Sequence, residues 1–228
     1  ISSALTSDIA EGRYGPGDKL PTEAALATRF GVNRHTVRRA LAAMAESGLV
    51  HPRRGSGVFV TQTPTDYPIG RRVRFHQNLT AAGRTPAKTI LTLETRLADT
   101  KEADALKLTN LPTDVHVYEG LSLADDTPIA VFRSVFPAAR FPGLLNDLDD
   151  TRSVTQALLR HGIADYTRAS TRLTAKMANA TQALHLRISE GAPILRTVGI
   201  NIDESGTPIE FGHTWFAGER VTLTVDDL

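Results

Sequence analysis

The chain has 228 residues, 41% of them hydrophobic and 22% charged, and no cysteine. That composition suits a globular protein of one large or two small domains. It excludes disulfides and thiolate metal sites, and it favours the cytoplasm. No apolar run approaches the roughly 18 residues of a membrane span, so no membrane attachment is expected, and no secretory leader is visible although the sequence starts at Ile1 rather than Met. The net charge of +1 conceals an asymmetry: residues 1–62 carry 8 Lys+Arg against 5 Asp+Glu, the remainder 18 against 20. A basic head on a slightly acidic body fits an anionic partner at one end.

Residues 1–12 read as a helix with an apolar stripe of Ile1, Ala4, Leu5 and Ile9, ended by Gly12 and the turn Tyr14-Gly15-Pro16-Gly17-Asp18. Thr22 is placed to cap a short second helix carrying Leu26, Ala27 and Phe30, which Gly31 stops. Asn33 caps a third helix that runs to Gly48. Two helices joined by so short a glycine-bearing turn form a helix-turn-helix pattern. In the third helix Val37, Ala40, Leu41 and Met44 make one apolar stripe, and Arg34, His35, Arg38 and Arg39 fall on the opposite arc. Such a face is either a solvated basic surface or a set of cations for phosphates and base edges. The stretch from Val50 to Val60 reads as a β-hairpin with Arg53 and Arg54 beside the glycines Gly55 and Gly57.

These residues carry a dense resemblance. Gly17-Asp18-Lys19-Leu20-Pro21-Thr22-Glu23, Phe30-Gly31-Val32-Asn33-Arg34-His35-Thr36-Val37-Arg38-Arg39-Ala40-Leu41, Gly48-Leu49-Val50 and Gly55-Ser56-Gly57-Val58-Phe59-Val60 resemble the head of GntR-family transcription regulators. The resemblance implies a winged helix-turn-helix over residues 1–62 that binds double-stranded operator DNA. Arg34, Thr36 and Arg38 would face the operator, Gly57 would sit at the wing tip, and His35, Arg39, Arg53, Arg54 and Gly55 would join them. Two positions depart from the pattern. Ala24 and Ser56 stand where many relatives are basic, which implies fewer phosphate contacts or contacts moved to Arg29, Arg53 and Arg54.

Residues 63–70 are polar and proline-bearing and read as a linker. The body, 71–228, contains an internal repeat: the run from Asp126 to Phe136 parallels that from Gly206 to Phe216. Each is preceded by a strand, 115–123 or 194–202, and by a short helix ending Leu106-Lys107-Leu108 or Leu184-His185-Leu186. A helix at about 151–161 and a strand at about 165–175 lie between the two units. The expected class is α+β, an antiparallel sheet with helices on one face. On strand phase, Arg133 shares an apolar face with Ile129, Val131 and Val135, and His213 takes the matching place in the repeat. An arginine there needs either an internal carboxylate or an anionic ligand. Tyr166, Arg168, Ser170, Arg172 and Thr174 share a face that is either a solvated edge or a pocket wall.

Val117-Tyr118-Glu119, Thr127-Pro128-Ile129, Phe141-Pro142-Gly143-Leu144, Gly191-Ala192-Pro193-Ile194-Leu195 and Gly206-Thr207-Pro208-Ile209-Glu210 resemble the UTRA effector domain of the HutC-like GntR branch, related in fold to chorismate lyase. Tyr67-Pro68, Arg74-Phe75-His76-Gln77-Asn78-Leu79 and Thr171-Arg172 are similar to regulators of phosphonate and phosphate uptake. What this implies is a dimeric repressor whose body pairs two chains and binds a small anionic effector, phosphonate-like or phosphate-like, with sulfate as a mimic. The effector residues carried over are Arg74, Asn78, Arg133, Ser170, Arg172, Glu210 and Thr214. The same branch admits sugar phosphates, imidazole derivatives and fatty acids. No catalytic residue, metal site or cofactor is expected: no Gly-x-Ser-x-Gly elbow, His-Glu-x-x-His motif or phosphate-cradling loop occurs, so a lyase-like enzyme is disfavoured.

Overall fold

The computed structural model describes residues 1–53, 55–62 and 64–225. The chain divides into two compact units, Ile1–Thr63 and Pro64–Leu228.

The first unit comprises α1 (Ser2–Ala10), α2 (Glu23–Phe30), α3 (Arg34–Glu46), β1 (Val50–Arg53) and β2 (Gly57–Val60). Its helix starts are fixed locally. The Thr22 hydroxyl accepts from the Ala25 amide at 3.2 Å and the Asn33 carbonyl oxygen accepts from the Thr36 amide at 2.9 Å, each cap worth about 1 kcal/mol. Gly31, at φ 64°, closes α2 in the left-handed conformation. Leu5, Leu26, Val37, Leu41, Met44, Val50 and Val60 form one buried cluster, so each helix hides one stripe against the others. The antiparallel pair β1–β2 gains a bridge from Lys19 to Phe59, which ties the hairpin back to the turn after α1.

The second unit begins with β3 (Thr65–Pro68) and α4 (Phe75–Ala81), and continues through β4 (Pro86–Leu97), α5 (Thr100–Leu106), β5 (Asp114–Ala124) and β6 (Thr127–Pro137). Then follow α6 (Leu144–Thr151), α7 (Val154–Arg160), β7 (Thr167–Met177), α8 (Ala180–Leu186), β8 (Pro193–Ile202), β9 (Pro208–Ala217) and β10 (Val221–Thr224). Six strands form an antiparallel sheet in the order β4-β5-β6-β9-β8-β7. The internal repeat accounts for that order. Each half is strand, helix, hairpin, and the halves meet where β6 pairs with β9, with Arg133 opposite His213. Capping boxes start both equivalent helices, Asp99 with Glu102 on α5 and Asn179 with Gln182 on α8.

Three sequence expectations change here. Residues 65–68 are not a linker: they form β3, which pairs in parallel with β10, so the polar, proline-bearing run is held by backbone hydrogen bonds. The repeat unit is longer than the sequence shows, because β4 opens the first half as β7 opens the second. Helices also cover both faces of the sheet. Leu106 of α5 and Leu186 of α8 pack with Val117, Val131, Val135 and Phe211 on one face. Leu144, Leu148 and Leu158 of α6 and α7 pack with Tyr118, Phe132 and Phe136 on the other. The helix expected at about 151–161 is α7, which Ser153 caps, and Arg152 (φ 51°) separates it from α6 before it.

Candidate DNA-binding helix and ligand cavity

In the first unit, Arg34, His35, Thr36, Arg38 and Arg39 are all exposed on α3, opposite the buried stripe of Val37, Leu41 and Met44. Arg38 is held in place: its Nε and Nη2 donate to the two Glu23 carboxylate oxygens at 3.0 and 2.7 Å. That fork raises the Arg38 pKa and lowers that of Glu23, chiefly through the hydrogen bonds themselves. Thr36 donates its hydroxyl to Asn33 at 3.0 Å. On the hairpin, Arg53 stacks over Phe59 at 4.2 Å and donates to His51 Nε2. Gly55 and Gly57 both have positive φ. A Cβ on Gly57 would lie 2.8 Å from Lys19 Cε, so the glycine lets that exposed lysine cross the hairpin. Arg54 lies outside the described residues. Arg29 is not available as a substitute phosphate contact. Together with Arg13 it neutralises the buried Asp8, at 2.7 and 2.8 Å, and so fastens α2 to α1. Lys19 is the basic residue that sequence reading missed.

In the second unit a cavity of about 180 Å³ opens on the sheet face covered by α4, α6 and α7. Three of its lining residues are cationic. Arg74, nearly buried, stacks on the Tyr166 ring at 3.6 Å and donates to Asp165 Oδ1 at 2.9 Å and to the Tyr166 carbonyl at 2.7 Å. Lys88 holds its Nζ over the Phe132 ring at 3.7 Å, and burial pushes its pKa down to about 8. Arg168 makes no side-chain hydrogen bond or ion pair among the described residues, and its Nε is buried. Its head lies directly over Gly199, where a Cβ would come within 1.5 Å of Nη1. The single lining carboxylate, Glu210, is buried and accepts from Ser134 Oγ and Asn201 Nδ2, each at 2.6 Å. Hydroxyls of Ser122, Thr155, Thr171, Thr197 and Thr214 complete a polar wall.

The structure brings Arg74, Glu210 and Thr214 of the expected effector residues to this cavity, and does not bring the other four. Arg133 stands on the opposite face of the sheet, where its Nε meets Glu119 Oε1 at 2.7 Å, so the internal-carboxylate alternative holds. Ser170 and Arg172 are exposed, and a β-bulge explains why. The β7–β8 register slips between Arg168 and Ser170, which moves the alternation by one residue. Arg168 and Thr171 therefore face the cavity, while Ser170 and Arg172 pair with Ile200 and Val198, which belong to the core of the other face. Asn78 does not line the cavity: its Nδ2 donates to the Pro68 carbonyl at 3.0 Å and holds β3 to α4.

A small winged unit with an exposed basic helix, joined in one chain to a unit with a cavity lined by three cationic side chains, defines a ligand-responsive DNA-binding regulator. The family model for bacterial regulatory proteins of the gntR family matches residues 1–60 and that for the UTRA domain matches residues 81–222. The chain belongs to the GntR family and carries a UTRA domain, and it is a transcriptional regulator of that type. It is 37% identical, over 99% of its length and 93% of the relative's, to an uncharacterised HTH-type transcriptional regulator of Rhizobium meliloti. It is 32% identical, with the same coverage, to the Escherichia coli protein described as a probable transcriptional regulator, PhnF. The crystal structure of PhnF from Mycobacterium smegmatis superposes with a TM-score of 0.68 at 24% identity, covering 100% of this chain and 99% of that one, a likeness of fold. Among the described residues no helix is long and apolar enough to cross a membrane, and no cluster of His, Cys, Asp and Glu is placed to hold a metal.

Proposed function

We propose that the protein is a homodimeric repressor of genes for phosphonate or phosphate uptake, acting in the cytoplasm and released from DNA by a small phosphorus oxyanion. The observation that carries the reading is Arg168, a cation with no partner among the described residues, facing a hydroxyl-rich cavity beside Arg74 and Lys88. An arginine fork binds a phosphonate bidentately. The resemblance of Tyr67-Pro68, Arg74-Phe75-His76-Gln77-Asn78-Leu79 and Thr171-Arg172 to regulators of phosphonate and phosphate uptake points to the same chemistry. A fatty acyl chain is a poor occupant, because it would cover Arg168 and Glu210 with nothing to pair them. The protein acts by binding rather than by turnover.

At the DNA end, Arg34, His35, Thr36, Arg38 and Arg39 meet the major groove, and Lys19, Arg53, Gly55 and Gly57 follow the adjacent backbone. A dimer places two such helices about 34–36 Å apart on a palindrome. To act as a switch, the ligand must favour the conformation that binds DNA less well. Fluorescence anisotropy on the DNA preceding its own gene tests this. The protein binds that fragment with dimer stoichiometry, and ethylphosphonate or inorganic phosphate releases it. Binding that neither anion changes, with no thermal stabilisation by either, would contradict the proposal.

A further inference from the structure

We propose that the cavity selects a zwitterion: a small phosphonate or phosphate monoester bearing an ammonium group, with its anionic end on Arg168 and its ammonium on Glu210. This rests on the anionic-effector reading above and names the ligand class.

The argument starts from Glu210. A carboxylate has about four acceptor sites, and Ser134 and Asn201 use two of them. Among the described residues no cationic nitrogen comes within 4.0 Å of it. Lys88 shares the cavity and feels the Glu210 charge, yet its ammonium rests on the Phe132 ring and not on the carboxylate. Arg168 leans over Gly199 and does not reach it either. A carboxylate withdrawn from water without a counter-ion is costly, and a ligand that brings a cation removes that cost.

The register places the two unpaired groups in one row. Arg168 on β7 pairs with Asn201 on β8, and Asn201 pairs with Glu210 on β9. Two strand spacings separate the backbones of Arg168 and Glu210 by about 10 Å, and both residues line the same cavity. The space left between them suits a molecule with opposite charges a few ångströms apart. The volume of about 180 Å³ leaves room for a small ligand of this kind. A plain dianion would fill the Arg168 end and set its charge against Glu210, whereas a purely cationic amine would do the reverse at Arg168.

Calorimetric titration of the full chain with matched ligands tests the proposal. 2-Aminoethylphosphonate is expected to bind at least tenfold more tightly than ethylphosphonate, and phosphoethanolamine more tightly than ethyl phosphate. The pair showing the larger ratio separates a phosphonate from a phosphate ester as the source. Glu210→Gln is expected to equalise the two members of each pair, and if that variant does not fold the wild-type ratios decide alone. Equal or tighter binding of both amine-free ligands to the wild type, or a preference that survives in Glu210→Gln, overturns the zwitterion while leaving the anion reading intact. Failure of all four ligands to bind overturns both.

Discussion

The two faces of the central sheet differ in how they treat particular charges. On the face covered by α5 and α8, two arginines are satisfied from within: Arg133 meets Glu119, and Arg96 forks onto Glu102 at 2.6 and 2.7 Å, while Arg196 stands near His213 with a buried Nε that has no hydrogen-bond partner among the described residues. On the face covered by α4, α6 and α7, Arg168 and Glu210 line one cavity and have no ion partner among the described residues. Paired charges hold a fold together, and unpaired charges kept out of water wait for a ligand. Changes on the first face should therefore move stability and leave binding alone, and changes on the second should do the reverse.

The largest effect expected is on the stabilising face. Arg96→Ala leaves the Glu102 carboxylate buried without its counter-ion and should lower unfolding free energy by about 3 kcal/mol, measured by urea denaturation, with ligand affinity unchanged in the folded fraction. Gly199→Ala comes next, on the cavity face. The added methyl occupies the place of the Arg168 head, so ethylphosphonate should bind roughly tenfold more weakly, while the melting temperature falls by only a few degrees. An unchanged affinity would show that Arg168 is not the anion's partner.

A pH effect follows from His213. Burial, with the charges of Arg196 and Arg133 added, lowers its pKa to about 4 from the ordinary 6.5. The folded histidine stays neutral where the unfolded one takes a proton, so stability is full above pH 6.5 and falls as pH drops toward 4. His213→Gln should flatten that part of the melting-temperature profile. His76 and His116, whose pKa values burial also lowers, keep the rest of the slope. Arg133→Gln should have the smallest effect. Its ion pair is about one-third exposed on both sides and contributes about 0.2–1 kcal/mol.

The first unit was legible in the sequence because its signals are local. Thr22, Gly31 and Asn33 each set a helix end through contacts within three or four residues, and the basic arc of α3 follows from helical periodicity alone. In the second unit, the repeat revealed both hairpins, and its matching positions Arg133 and His213 prove to be cross-strand partners. Strand phase failed at Arg172 and Ser170 because one extra residue, Ala169, reverses every side chain after it. Nothing in the local composition marks that bulge. Lys88 was missed because β4 was not read as a strand, which hid the match between β4 and β7. Gly199 did leave a trace. A glycine inside an apolar strand signals a close approach, and here the approaching group is the arginine that defines the cavity.

Calorimetric titration of ethylphosphonate into Arg168→Met and Arg133→Met tests the contrast between the two faces most directly. Arg168→Met should lose roughly tenfold to a hundredfold in affinity, the scale of charge-assisted hydrogen bonds, and Arg133→Met should bind as the wild type does. Loss of binding in Arg133→Met with retention in Arg168→Met would place the ligand on the other face of the sheet and contradict the account.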